Sequence, residues 1–213
     1  MSLLLIDMDG TLREPLSGQQ YFQHPKDQRI IEGAEIAIRA YKDDWIIAGI
    51  TNQGGVAAGH KSMQECIKEQ QYTLELFPEL REIYFCPDFE GKKCFRVTSH
   101  NVYNHSQTKW SGQYRKPRSG MLQLAMVRHK HTPQNSLYVG DRPEDEQAAQ
   151  RAGVPFQWAW DWIEQHQEAI VLKTKRLLCE QVYPFNRHGT GSSNIKRRLF
   201  LILQKYNNQT IST

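Results

Sequence analysis

Short apolar runs alternate with longer segments in which apolar residues return every three or four positions. The runs at 3–6, 45–50, 83–86, 136–140 and 156–159 are continuously apolar and end at turn signals, which predicts buried strands. Between them, the spacing of Ile30, Ile31, Ala34, Ile36, Ala37, Ile38 and Tyr41 predicts a helix. Further helices are predicted over 61–77, with Pro78 as a stop, over 119–128, and over the Ala-rich stretch 143–152. Strands alternating with helices imply an α/β fold with a doubly wound, mainly parallel sheet. Residues 87–115 show no clear period and read as a long loop or insertion.

The pattern changes after residue 160. Ile163, Ala169, Ile170, Leu172, Leu177 and Leu178 keep helical spacing, 186–194 reads as a flexible linker, and 196–203 is basic and then apolar. This divides the chain into a core over 1–160 and a partly helical, basic extension over 161–213, whose last segment is expected to pack as a helix on the core. The formal net charge of the 213 residues is +4, and all of it lies in that extension: eight Lys and Arg face four acids from Asp161 onward. No apolar run approaches the roughly 18 residues of a membrane span, so a cytoplasmic protein with no membrane partner is expected. Four scattered cysteines are then read as free thiols.

The predicted strand ends carry the chemistry. Asp7 and Asp9 follow the first strand, Thr51 the second, Arg115 and Lys116 precede the third helix, and Asp141 and Asp145 follow the fourth strand. Each alone could be ordinary turn chemistry. A right-handed α/β fold brings the carboxyl ends of its parallel strands to one edge, where acids, a hydroxyl and a fixed cation would converge. Carboxylate oxygens of this kind suit Mg²⁺ together with a phosphate oxygen.

Asp7-Met8-Asp9-Gly10-Thr11, Ile50-Thr51-Asn52-Gln53-Gly54, Arg115-Lys116-Pro117-Arg118-Ser119-Gly120-Met121 and Gly140-Asp141-Arg142-Pro143-Glu144-Asp145 resemble, in order, the four motifs of the haloacid dehalogenase (HAD) superfamily. The likeness covers about residues 3–160 and is greatest to the class III branch, which holds histidinol-phosphatase, heptose-bisphosphate phosphatase and polynucleotide 3'-phosphatase. It implies a Rossmann-like HAD fold, with too few residues between the first two motifs for a large cap domain. It also implies a phosphatase in which Asp7 is the nucleophile, forming an aspartyl-phosphate, and Asp9 the acid and base. Mg²⁺ would be held by Asp7, the Asp9 carbonyl and Asp141, with Asp145 behind them. Thr51 and Lys116 would bind the phosphoryl group, and Asn52, Arg115 and Arg118 the rest of the substrate.

The substrate is less legible. Lys92, Lys93, Arg96, Lys109, Arg115, Lys116 and Arg118 are interleaved with Phe95, Tyr103, Trp110 and Tyr114. Cations with aromatics suit single-stranded nucleic acid. The reading therefore favours 3'-phosphorylated polynucleotide ends, with a small ester such as heptose bisphosphate or histidinol phosphate as the alternative. A phosphotransferase would use the same residues with an acceptor other than water, and a non-catalytic binding protein would not need both Asp7 and Asp9. Cys86, Cys94, His100 and His105 could form an improvised zinc site, at irregular spacing. No Gly-x-x-x-x-Gly-Lys-Ser/Thr loop is present, so a fused kinase is not expected.

Overall fold

The computed structural model describes the backbone of residues 1–182 and the side chains of 1–174. The central sheet is built on β1 (Ser2–Asp7), whose Leu3, Leu4, Leu5 and Ile6 are wholly buried. Strand alternation sends Leu4 and Ile6 into one apolar cluster and Leu3 and Leu5 into another on the opposite face. Covering both faces stabilises each such side chain by about 1.5–3 kcal/mol relative to exposure, and only a doubly wound arrangement supplies two covers.

In chain order β1 is followed by β2 (Arg13–Glu14), β3 (Arg29–Ile30), α1 (Ala34–Arg39), β4 (Trp45–Asn52), α2 (Gly54–Ala57), α3 (Met63–Leu76), β5 (Glu82–Cys86), β6 (Phe95–Val97) and β7 (Val102–Asn104). The chain continues with α4 (Gly120–His129), β8 (Ser136–Gly140), α5 (Pro143–Ala152), β9 (Phe156–Trp158) and α6 (Ala159–Val182). The main sheet has the order β7-β6-β5-β4-β1-β8-β9. From β5 to β9 every pairing is parallel, while β6 and β7 add an antiparallel edge. A small antiparallel pair, β2 with β3, stands where a cap domain would be inserted.

All five expected strands are present. The stretch 87–115 is not a loop throughout, because it holds the hairpin of β6 and β7, whose three-residue strands are too short to show a period. The expected helix over 30–41 contracts to α1, since Arg29 and Ile30 pair with β2. The chain divides into two units, Met1–Gln167 and Glu168–Thr213. The second is described only for the continuation of α6; the linker over 186–194 and the basic-apolar segment over 196–203 lie outside the described residues. No described helix is long and apolar enough to cross a membrane.

Candidate active site

β1 and β8 are neighbours in the sheet and end at the same edge, which sets Asp7 beside Asp141. Carboxylate oxygens of Asp7, Asp141 and Asp145 lie within 4.8 Å of one another, the only such three-donor group among the described residues. Asp7 is 4 % exposed and Asp145 1 %, whereas Asp141 is partly open to solvent. The Thr11 hydroxyl lies 3.4 Å from both Asp7 Oδ2 and Asp141 Oδ1 and ties the two together. Two glycines make the crowding possible. A Cβ on Gly10, at φ +94°, would lie 2.3 Å from Asp141 Oδ2, and one on Gly140 would lie 2.5 Å from the Asp145 Cβ.

Asp145 sits in the first turn of α5, where Pro143 opens the helix and Asp145 Oδ2 accepts from the Arg142 backbone N–H at 3.1 Å. Its Oδ1 accepts from the Tyr138 hydroxyl at 2.7 Å and lies 2.6 Å from Lys116 Nζ. The Lys116 ammonium also donates to Asp7. Burial pulls the Lys116 ammonium down, but Asp145 and Asp7 outweigh it and hold the group charged. Asp7 is pushed well above the usual carboxylate range, first by burial, with Lys116 opposing and Asp145, Asp141 and Asp9 adding repulsion. Clustered hard oxygen donors that repel one another are the donor set a divalent cation such as Mg²⁺ satisfies.

Asp9 stands two residues on, its side chain 33 % exposed at the rim. Arg13 Nε donates to its Oδ1 at 2.8 Å, and Gln53 Nε2 and the Thr51 hydroxyl reach its Oδ2 at 2.8 and 3.3 Å. Burial alone would raise Asp9, but the charges of Arg13 and Lys61 and the Arg13 hydrogen bond bring it below the usual range. Thr51 thus joins the site through Asp9. Asn52 exchanges two hydrogen bonds with the Lys116 backbone, Nδ2 to the carbonyl at 3.1 Å and Oδ1 from the N–H at 3.0 Å, and so fixes the turn that presents the lysine.

These residues open into a cavity of about 790 Å³, whose walls include Tyr21, Phe22, His60, Lys61, Phe89, Arg115 and Arg142. Arg115 lies over the Phe89 ring at 5.3 Å, and its Nη1 has no partner. Arg118 is outside that wall: its Nη1 donates to the carbonyls of Glu90 and Gly112 at 2.6 and 2.9 Å, holding the loop together. Several of the other cations and aromatics of 87–115 are engaged within the protein. Arg96 is 6 % exposed and donates to Glu82 at 2.6 Å, Tyr114 is wholly buried, Phe95 stacks on Phe85, and Lys92 pairs with Glu90. Part of the interleaving that suggested nucleic acid is therefore packing, while Lys92, Lys93, Lys109 and Tyr103 stay exposed. No three of the four zinc candidates bring their donor atoms together among the described residues: Cys86 and Cys94 are interior thiols, while His100 faces solvent.

Sequence reasoning missed Arg13, Gln53 and Lys61, which lie near Asp9, and Glu69, which pairs with Arg13 and Lys61 behind it. Arg13 lies two residues beyond the first motif and is wholly buried, and a charged residue so close to it was the available signal.

Residues 2–156 match the family described as polynucleotide kinase 3 phosphatase. A D-glycero-beta-D-manno-heptose-1,7-bisphosphate 7-phosphatase of Haemophilus ducreyi is 31% identical over 160 residues, covering 71% of this chain and 78% of the relative. The enzyme of the same name from Haemophilus influenzae is 29% identical, covering 67% and 72%. Among solved structures, a D,D-heptose 1,7-bisphosphate phosphatase from B. bronchiseptica complexed with magnesium and phosphate has the same fold, with a TM-score of 0.57 and 22% identity over 73% of this chain and 79% of that one. A structure from Mesorhizobium loti described as a HAD-like phosphatase gives a TM-score of 0.57 and 26% identity over 72% and 69%.

Proposed function

The chain belongs to the polynucleotide kinase 3 phosphatase family and is a HAD-superfamily phosphatase, and from that premise we propose that it is a Mg²⁺-dependent hydrolase of a small sugar phosphate, of the heptose-bisphosphate class. The observation that carries the chemistry is the cluster of Asp7, Asp141 and Asp145 with Lys116 bridging Asp7 and Asp145. Asp7 and Asp141, beside Asp145, would hold the metal, which when bound neutralises charge between an anionic phosphate and an anionic nucleophile.

In the first step Asp9, which takes up a proton as the anionic ester binds beside it, gives that proton to the departing oxygen while an Asp7 carboxylate oxygen bonds to phosphorus and the ester P–O bond breaks. In the second, water attacks the phosphorus, Asp9 takes the water's proton, and the bond to Asp7 breaks, releasing phosphate and restoring both acids. Lys116 balances the phosphoryl charge throughout, held on target by Asp145 and Asn52. Acid–base assistance of this kind contributes about 10²–10⁴ in rate.

The substrate class rests on the cavity and the relatives. A volume of about 790 Å³ is in the range of small-molecule sites. The curated relatives described above carry heptose-bisphosphate phosphatase names, and two of the loop cations expected to read a polynucleotide, Arg96 and Arg118, are engaged within the protein. The preference for 3'-phosphorylated ends therefore yields to the small-ester alternative. The test is phosphate release with Mg²⁺ from heptose bisphosphate, histidinol phosphate, nucleotides and 3'-phosphorylated oligonucleotides. A specificity constant at least tenfold higher for heptose bisphosphate is expected. A preference for the oligonucleotide would overturn the assignment.

A further inference from the structure

Asp9 belongs to a closed ring of charged and polar side chains. Arg13 Nε donates to Asp9 Oδ1 at 2.8 Å, and Arg13 Nη2 to Glu69 Oε1 at 3.2 Å. Lys61 Nζ donates to Glu69 Oε2 at 2.5 Å and to Gln53 Oε1 at 2.8 Å, and Gln53 Nε2 returns to Asp9 Oδ2 at 2.8 Å. Two cations alternate with two anions, so the ring is neutral and the charge of each buried member is compensated. Asp9 is the one carboxylate of the ring at the cavity mouth, while Glu69 is 2 % exposed and no part of the cavity wall.

The backing is built from local signals. Ser62 and Glu65 form a reciprocal capping box, which starts α3 in a fixed place and turns Glu69, one turn beyond Glu65, toward the interior. Arg13 is anchored from behind by Gln28, Gln70 and Thr73, and the Phe22 ring lies 5.0 Å from its guanidinium carbon. Both Asp9 oxygens are thus held by donors whose own positions are fixed.

We propose that Glu69 and Lys61 are positioning residues: through Arg13 and Gln53 they hold the Asp9 carboxyl where it meets the leaving-group oxygen. This rests on the acid role proposed above for Asp9. Neither Glu69 nor its bonds to Arg13 and Lys61 reach the nucleophile, so their loss acts only on steps that need Asp9 in place.

Leaving-group chemistry separates that effect from general damage. Departure of 4-nitrophenolate needs no proton, whereas the alkoxide of glycerol phosphate does. The value of kcat/KM reports the first phosphoryl transfer only, so slow release of the second product does not blur it. In the full-length Glu69→Gln variant with Mg²⁺, kcat/KM for glycerol phosphate should fall about 10- to 100-fold while that for 4-nitrophenyl phosphate stays within about twofold. A burst of nitrophenolate, about one per enzyme, should appear as water attack slows. Should Glu69→Gln fail to fold, Glu69→Asp keeps the ring neutral but shortens its reach, and should show the same selective loss on glycerol phosphate in smaller measure. Equal losses with both esters, or an unchanged glycerol phosphate value, would overturn the proposal. A wild-type protein inactive on both esters would instead overturn the phosphatase reading on which the proposal stands.

Discussion

Replacing Gly10 with alanine tests whether the acid cluster works by close approach. The new Cβ would lie 2.3 Å from Asp141 Oδ2 and 2.9 Å from its Cγ, where about 3.4 Å is ordinary contact. The carboxylate must therefore retreat by roughly 1 Å, because the packed turn behind Gly10 leaves the backbone little freedom. A misplacement of that size costs about 10²-fold in rate at a reacting centre, and disturbance of a metal ligand's setting costs about 10- to 100-fold in affinity. The φ of +94° adds on the order of 1–3 kcal/mol of backbone strain for a residue with a side chain. In a chain of this size each kcal/mol lowers Tm by about 2–4 °C. The Gly10→Ala protein should thus stay folded by circular dichroism, lose about 100-fold in kcat/KM, and need about 10 to 100 times more Mg²⁺ for half-maximal phosphate release. Activity within threefold of wild type at an unchanged Mg²⁺ requirement would refute the reasoning.

Asp145→Asn removes a charge that holds Lys116, so kcat/KM should fall about 10- to 100-fold with little loss of fold, as read by steady-state kinetics beside a melting curve. Glu82, far from this chemistry, accepts from Tyr84, Arg96 and His129 at 2.5, 2.6 and 2.8 Å. Burial would raise its carboxyl, but these hydrogen bonds and the Arg96 charge bring it down to about 2. Its contribution is accordingly present in full above pH about 4.5 and lost as pH falls toward about 2, and after allowance for solvent screening it amounts to roughly 2–3 kcal/mol. Glu82→Gln should therefore lower stability by about that much in urea titrations at pH 7, with the gap from wild type closing across that window. Chelation by EDTA should abolish phosphate release, and Mg²⁺ should restore it.

The parts of the fold that repeat a simple physical pattern were legible before any coordinates. Leu3 to Ile6 announce a strand covered on both faces, and the Asp7-Asp9 pair announces the edge where ligands bind. The hairpin of β6 and β7 was hidden because three residues cannot display a period and because its Arg96 and Tyr103 pack on each other as a charged and an aromatic group, at 3.9 Å. The same blindness produced the nucleic-acid reading: a cation and an aromatic look alike in sequence whether they face water or the interior. At the site, Asp7, Asp141, Asp145 and Lys116 were found from strand ends, and the structure brings them together. Glu69 and Lys61 escaped because their connection to Asp9 runs through space from the α3 region. No spacing rule links residue 9 to residue 69.

Reductive trapping at residue 7 tests the central claim most directly. If Asp7 carries the phosphoryl group during turnover, quenching the protein with borohydride in the presence of substrate and Mg²⁺ should convert its side chain to homoserine in a peptide identified by mass, and Asp7→Asn should yield neither that product nor free phosphate. Homoserine at another aspartate, or continued phosphate release by Asp7→Asn, would contradict the account.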